Sequence, residues 1–227
     1  MDERYIKNFR SIELTRENGE AELAGFRTKL PPRQARRMSP LGVLVSEALS
    51  GMPFTRDTAI LYTTTFTESL ALEAFLGSFP YPSPTYFQTS IHPGGIEQAL
   101  ILNQHPVTAL YPLAGGAGIL SHALRLACAD DRPDVLIVAG EEAATWLADL
   151  DAASSRTFVW ALFLAIETDR AMGSLTFTSP PSTAAKPANA TFVQKSPSLH
   201  DFGRILKTRQ KLDWDTAAGR FSLKWTG

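Results

Sequence analysis

The sequence has a single cysteine, Cys128, in 227 residues. That excludes an intrachain disulfide and any cysteine-based zinc cluster, and it fits a reducing compartment. Neither sign of charge is in excess: 22 Lys and Arg stand against 23 Asp and Glu, a formal net charge of −1. A dedicated nucleic-acid binder would carry a basic surplus, so nucleic acid is not an expected partner. Long apolar runs are missing as well. The longest, Phe158 to Ile166, has nine residues, whereas a membrane-spanning helix needs about 20. No apolar stretch follows Met1-Asp2-Glu3-Arg4, so no signal peptide is expected. The expectation is a soluble, cytoplasmic chain with no membrane span. Hydrophobic residues make up 44%, enough for one sizeable core. The length suits one domain, or one domain with an appendage.

Charge and composition change together along the chain. Residues 174–227 hold eight Lys and Arg against three Asp, while residues 1–173 hold 14 basic and 20 acidic residues. A Pro/Ser/Ala-rich stretch, Ser179 to Asn189, reads as a linker. We therefore expect a domain over 1–178 and a basic appendage over 179–227. Before the boundary, strand and helix patterns alternate. Tyr5 to Ile12, Ala59 to Thr64, Thr108 to Leu113, Asp134 to Val138, Phe158 to Ile166 and Leu175 to Thr178 read as strands. Ser39-Pro40 opens a helix, with Ser39 as its cap. Phe66 to Phe75, ended by Gly77 and the proline cluster at 80, 82 and 84, Gly95 to Leu102, Gly115 to Cys128 and Ala143 to Leu150 read as further helices. Such alternation predicts an α/β layered fold with a largely parallel sheet.

The most informative stretch runs from Thr108 to Ala127: a buried strand, a turn of small residues (Ala114-Gly115-Gly116-Ala117-Gly118), then a helix. A helix N-terminus of this kind offers backbone N–H groups and a positive dipole end to a ligand. One reading is a nucleotide or small-molecule site on the Gly115–Gly118 turn. Gly116-x-Gly118 follows a strand, and Glu141 lies near the end of the next one, but Ser121 stands where a dinucleotide motif has its third glycine. A nucleophile elbow fails on chemistry, because the turn contains neither Ser nor Cys. Elsewhere, Cys128 reads as a small core residue. His92, His105 and His122 lack carboxylate or cysteine partners at ligand spacing and read as structural. Asp149 and Asp151 lack the further carboxylates of a calcium loop, and no metal is expected.

Five segments in order resemble another family. Leu113-Ala114-Gly115-Gly116-Ala117-Gly118 is similar to the active-site turn of β-ketoacyl synthases, with Gly115 at the position of the acylated cysteine. Ser83-Pro84-Thr85-Tyr86-Phe87-Gln88-Thr89-Ser90-Ile91-His92 resembles a segment of the truncated ketosynthase-like family, except that Pro93 replaces the Asn that follows the His there. Leu30 to Gly42 resembles that family's N-terminal Pro-Pro-Arg…Arg-Met-Ser segment. Asp134 to Glu142 and Ala161 to Glu167 resemble the two later strands of the ketosynthase N-terminal half. The coverage is roughly 30–170. The resemblance implies half of a thiolase-like (ketosynthase) fold, a mixed, mainly parallel sheet of about five strands with helices on both faces, since the 54 residues after Gly173 are too few for the second half that carries the family's two His and Lys. It further implies no catalysis, with a vacant nucleophile position at Gly115, and no cofactor. The implied role is that of a chain-length-factor-like subunit of aryl polyene or related polyketide and fatty-acid biosynthesis. Its implied partners are a full-length β-ketoacyl synthase, in a heterodimer, and transiently an acyl carrier protein. Phe66, Ser69, Leu70 and Glu73, placed on one helix face, and Phe87 and His92 are the residues it implies for chain-length gating and the subunit interface. A lone half is also expected to leave apolar surface uncovered where its twin would pack.

Overall fold

A computed structural model describes residues 2–15, 17–179 and 196–226. The first strand, β1 (Asp2–Leu14), is followed by α1 (Gly19–Thr28), the short α2 (Pro32–Ala35) and α3 (Pro40–Leu49). Then come β2 (Ala59–Thr64), α4 (Ser69–Leu76), α5 (Pro84–Ser90), α6 (Gly94–Leu102), β3 (Ala109–Ala114) and α7 (Ile119–Ala129). The chain continues through β4 (Asp134–Glu141), α8 (Trp146–Asp149), β5 (Thr157–Ala165) and β6 (Gly173–Thr178). It ends with α9 (Leu199–Thr208), β7 (Leu212–Thr216) and β8 (Gly219–Trp225).

All eight strands form one sheet in the order β3-β2-β4-β5-β1-β6-β8-β7. The fold is mixed α/β, as expected, but the sheet is not mainly parallel and has more than five strands. Only β2–β3 and β2–β4 are parallel; the other five pairings are antiparallel. The alternation of strands with helices was the basis for expecting parallel pairing. It failed here because β1, β5, β6, β7 and β8 join through short turns or distant segments instead of crossover helices. The expected boundary near 178 coincides with the end of β6. Apart from Ser179, the linker expected at 179–189 lies outside the described residues, and beyond it β8 pairs with β6 and extends the same sheet.

Side chains alternate across the sheet and build two cores. Leu61, Ile137, Ala139, Phe158, Trp160 and Leu162 face α7 and α9. Ile60, Tyr62, Val138, Val159 and Ala161 face α3 and α6. Two helices begin later than the patterns predict, and one predicted helix is shortened. α4 begins at Ser69 and not at Phe66, because Thr67 adopts φ 63° and donates its N–H to Thr64 Oγ1. Phe66 therefore stands before α4, not on its face. α7 begins at Ile119, leaving 115–118 as a turn. The helix expected over 143–150 is reduced to α8, because Thr157 Oγ1 and the Glu73 carboxylate take the N–H groups of Ala143, Thr145 and Leu147. Conversely, the proline cluster starts a helix as well as ending one. Ser83 caps α5 through Tyr86 N–H with Pro84 in the first turn, the same grammar as Ser39-Pro40 in α3.

The outer face of α7 presents His122 and Arg125, both exposed, and α9 with the β7–β8 hairpin covers the neighbouring core. Of the exposed large hydrophobic residues described, Leu76, Phe79, Tyr81, Tyr86, Phe87 and Ile91 lie on α4, on α5, between them or just after α5, while Ile101, Trp146, Leu150 and Ile166 lie elsewhere.

Candidate functional site

The parallel strands β2, β3 and β4 end side by side, and the residues just past their C-terminal ends form the site. Gly115 follows β3 and donates its N–H to Thr64 O at the end of β2. A Cβ built on Gly115 would meet only Ile119 Cδ1 at 3.7 Å, an ordinary contact. Glycine is thus not demanded by space at this position, and its φ is not in the left-handed region. The turn holds no nucleophile although the backbone has room for one. Cys128 cannot substitute: it is buried at the far end of α7, and burial pushes its thiol up to about 12.

Strand alternation sends the adjacent Glu141 and Glu142 to opposite faces. Glu141 lies on the α7 face, paired in register with Phe158. Its Oε1 accepts Thr65 N–H at 2.8 Å, its Oε2 has no hydrogen-bond partner among the described residues, and burial raises its pKa. Glu141 lines a cavity of about 780 Å³ with Phe66, Gly116, Ala117, Phe158 and the segment Ser196–Asp201. On its outer side His200 Nε2 sits 2.8 Å and Arg156 Nη1 3.5 Å from Glu13 Oε1, so the Arg156 charge already has a carboxylate. An unpartnered carboxylate beside Gly116 argues physically against a pyrophosphate on this turn, which weakens the dinucleotide reading.

Glu142, on the α3–α6 face, is 1% exposed with neither oxygen hydrogen-bonded among the described side-chain contacts. Burial, and then the nearby Glu68 charge, lift it to about 8. Glu68 is better served. Its Oε1 accepts from Tyr62 O–H at 3.3 Å and from Gly95 N–H at 2.9 Å, and its Oε2 lies 3.4 Å from His92 Nδ1. Burial raises the Tyr62 phenol well above 10, with the Glu68 charge adding to it. His92 stacks on Tyr62, ring centroids 5.1 Å apart. Gly95 is fixed by this cluster, because a Cβ would come within 2.5 Å of Tyr62 Oη.

The residues singled out from the sequence fall into three groups. Ser69 and Glu73 are buried and committed: Ser69 Oγ donates to Glu142 O at 3.2 Å, and Glu73 accepts from Thr145 and Leu147 N–H. Burial pushes the Glu73 carboxyl up, but these backbone donors outweigh it and the net shift is downward. Phe66 and Leu70 face open space on different sides, Phe66 in the cavity beside Gly116 and Leu70 in a second cavity lined also by Glu142, Pro40 and Trp146. Phe87 belongs to the exposed aromatic group, its ring 5.3 Å from Phe75, and His92 belongs to the buried cluster. Glu68 and Glu142 were missed by sequence reasoning. Their signal, acidic residues next to apolar strand and helix positions, looks like ordinary surface until burial is known. Among the described residues, no group of three or more His, Cys, Asp or Glu is placed to hold a metal ion, and no helix is long and apolar enough to cross a membrane.

No family model and no curated protein matches the sequence. Solved structures match the fold. The chain is similar to one in the structure of the ketosynthase ApeO in complex with its chain length factor ApeC from Xenorhabdus doucetiae, at 18% identity, 99% coverage of both chains and a TM-score of 0.65. It is also similar to the ishigamide ketosynthase/chain length factor, at 14% identity, with 79% of this chain and 68% of that one covered and a TM-score of 0.58. The fold is therefore the thiolase-like fold of ketosynthases and chain length factors, as the five motifs implied.

Proposed function

We propose that the chain is a non-catalytic, chain-length-factor-like subunit that pairs with an active, full-length β-ketoacyl synthase and shapes its acyl pocket, in aryl polyene or related polyketide and fatty-acid biosynthesis. The observation that carries this reading is the turn at Gly115, which has space for a side chain and no nucleophile. Covalent acyl transfer needs a thiolate or alkoxide at that helix N-terminus. The apolar group on α4 and α5, with the edge strand β3, gives a partner surface of the right kind: large exposed apolar areas on a folded chain mark interfaces. Pro112 in β3 fits an edge strand. The comparisons support the pairing, since the complex matched in fold joins a ketosynthase to its chain length factor. In this reading residues 1–178 are the ketosynthase-like unit and 179–227 its basic appendage. The acyl carrier protein visits transiently, and the complex works in the cytoplasm.

Of the gating residues, Phe66 and Leu70 are the ones free to meet a growing chain, while Ser69 and Glu73 hold the 142–147 loop in place. Co-expression with a ketosynthase of intact cysteine should give a 1:1 complex, and intact-protein mass spectrometry with acyl carrier protein thioesters should load the partner only. A stable acyl adduct on this chain, or the failure of every such ketosynthase to co-purify, would overturn the proposal. Gly115→Cys should fold normally, because the position has room for a side chain.

A further inference from the structure

The apolar surface offered to a partner sits on a segment that is anchored unevenly. Residues 69–93 leave the fold after β2 as α4, pass through the proline-rich loop and α5, and rejoin it at α6. Six of the ten exposed large hydrophobic residues described lie on them. The α4 half is held by Glu73, which takes the N–H groups of Thr145 and Leu147. The α5 half has no such tie to the sheet side: among the described residues of α5 none is buried. It leans on α4 through Phe87 and Phe75, ring centroids 5.3 Å apart, and on the loop through Ser83 N–H and Ser78 Oγ. The direction of α5 is therefore set where the chain rejoins the fold, at residues 91–95.

Both ends of the segment meet at one carboxylate. Glu68, the residue just before α4, is fully buried. Its Oε1 accepts the Gly95 N–H in the first turn of α6 at 2.9 Å, a helix-end donor that α6 itself cannot satisfy. Its Oε2 lies 3.4 Å from Nδ1 of His92, the second residue after α5, and the His92 ring stacks on Tyr62. A buried carboxylate is costly unless it is paired and hydrogen-bonded. Glu68 meets that demand only while residues 92–95 stay beside it. We infer that Glu68 and His92 are positioning residues for the partner surface: their contact closes the base of the α4–α5 segment and fixes the direction in which Tyr86 and Phe87 face the ketosynthase. The inference rests on the interface proposed above. A segment already held in its bound orientation loses less freedom on association, so the pair acts on affinity.

The test uses the full chain, first alone and then with its ketosynthase. Glu68→Gln keeps the shape and an acceptor for Gly95 N–H and removes the charge that faces His92. In the isolated variant, hydrogen-exchange protection over α5 and the first turn of α6 should fall about tenfold, while β2, β4 and β5 keep theirs and the melting temperature moves by only a few degrees. Affinity for the ketosynthase should fall by about tenfold as well, the factor that one bond to a charged group supplies. His92→Ala should match Glu68→Gln, and the double variant should be no worse than either, because the two residues act through one contact. His92→Asn, which puts an amide donor near the place of Nδ1, should restore most of the loss. Unchanged exchange in both single variants would overturn the inference. So would faster exchange with undiminished affinity, or additive losses in the double variant. A wild-type chain that binds no ketosynthase would overturn the interface proposal instead, and exchange in the isolated variants would still decide whether the pair holds the segment.

Discussion

Glu141 and Glu142 leave β4 on opposite faces of the sheet, and Glu142 has the harsher environment. Its folded-state pKa is about 8 against an ordinary 4.5. Below pH 4.5 folded and unfolded chains both hold the proton. Between 4.5 and 8 the unfolded chain releases it and the folded chain keeps it, so stability falls as pH rises and levels off above 8. Glu142→Gln should remove that loss. Its gain should be small at pH 5 and reach up to about 3 kcal/mol at pH 7. Thermal melts at pH 5 and pH 8 check this; the same gain at both would mean that the carboxyl does not titrate in this range. The residue scale is also where the sequence was least legible. The Glu141–Glu142 pair was visible, but whether a glutamate is a surface charge or a buried acid depends on Glu68 and Leu41, which lie far away in the chain.

At the scale of elements, α9 and the β7–β8 hairpin close the α7 face. Trp160 Nε1 donates to Leu199 O at 2.8 Å, Trp214 stacks on Phe221 with centroids 4.9 Å apart, and Trp214 Nε1 donates to Ser121 Oγ. Helix α9 comes so close that a Cβ on Gly203 would meet Trp160 Cδ1 at 2.6 Å. Gly203→Ala should cost about 1–3 kcal/mol by overpacking, and Trp214→Ala about 3–5 kcal/mol by leaving a cavity. Urea unfolding monitored by tryptophan fluorescence would measure both, and a neutral Gly203→Ala would mean that α9 is not seated on Trp160. These elements escaped the sequence reading although their pattern was present. Leu199, Phe202 and Leu206 repeat at helical spacing, but a basic, proline-flanked tail with strands of five and seven residues gives little local signal. The strands that were read well, Ala59–Thr64 and 158–165, are buried on both faces and therefore nearly continuous in hydrophobicity.

For the whole molecule, the question is what covers the apolar group on α4 and α5. Phe79 is 56% and Phe87 50% exposed, so charged substitutions there should leave the fold intact. Phe79→Asp with Phe87→Asp should lose the ketosynthase complex in native mass spectrometry while the melting temperature of this chain stays within a few degrees. Retention of the complex would move the interface elsewhere. Within an intact complex, Phe66→Ala should lengthen or blur the distribution of carrier-bound products, and Leu70→Phe should shorten it, because a growing chain would meet an overpacking cost of about 1–3 kcal/mol earlier. An unchanged profile for both variants would leave these side chains with a packing role alone.

The sequence by itself determined the core strands, the capped starts of α3 and the order of the five motifs, since these rest on local periodicity, Ser-Pro caps and a glycine turn that neighbours in the chain suffice to define. Periodicity gave the α/β class, the resemblance of the five motifs implied the thiolase-like fold, and the turn at Gly115 was seen to lack Ser and Cys. Tertiary structure alone decided the rest. Strand direction depends on which strands meet, and five of the seven pairings are antiparallel. It decided that the tail joins the sheet, because β8 bonds to β6 across a long separation in sequence. It also decided which of Phe66, Ser69, Leu70 and Glu73 face space and which are tied down, and that one carboxyl oxygen of Glu141 is buried without a partner among the described residues. Burial and hydrogen bonding are properties of chain segments brought together from afar, and no window of sequence contains them.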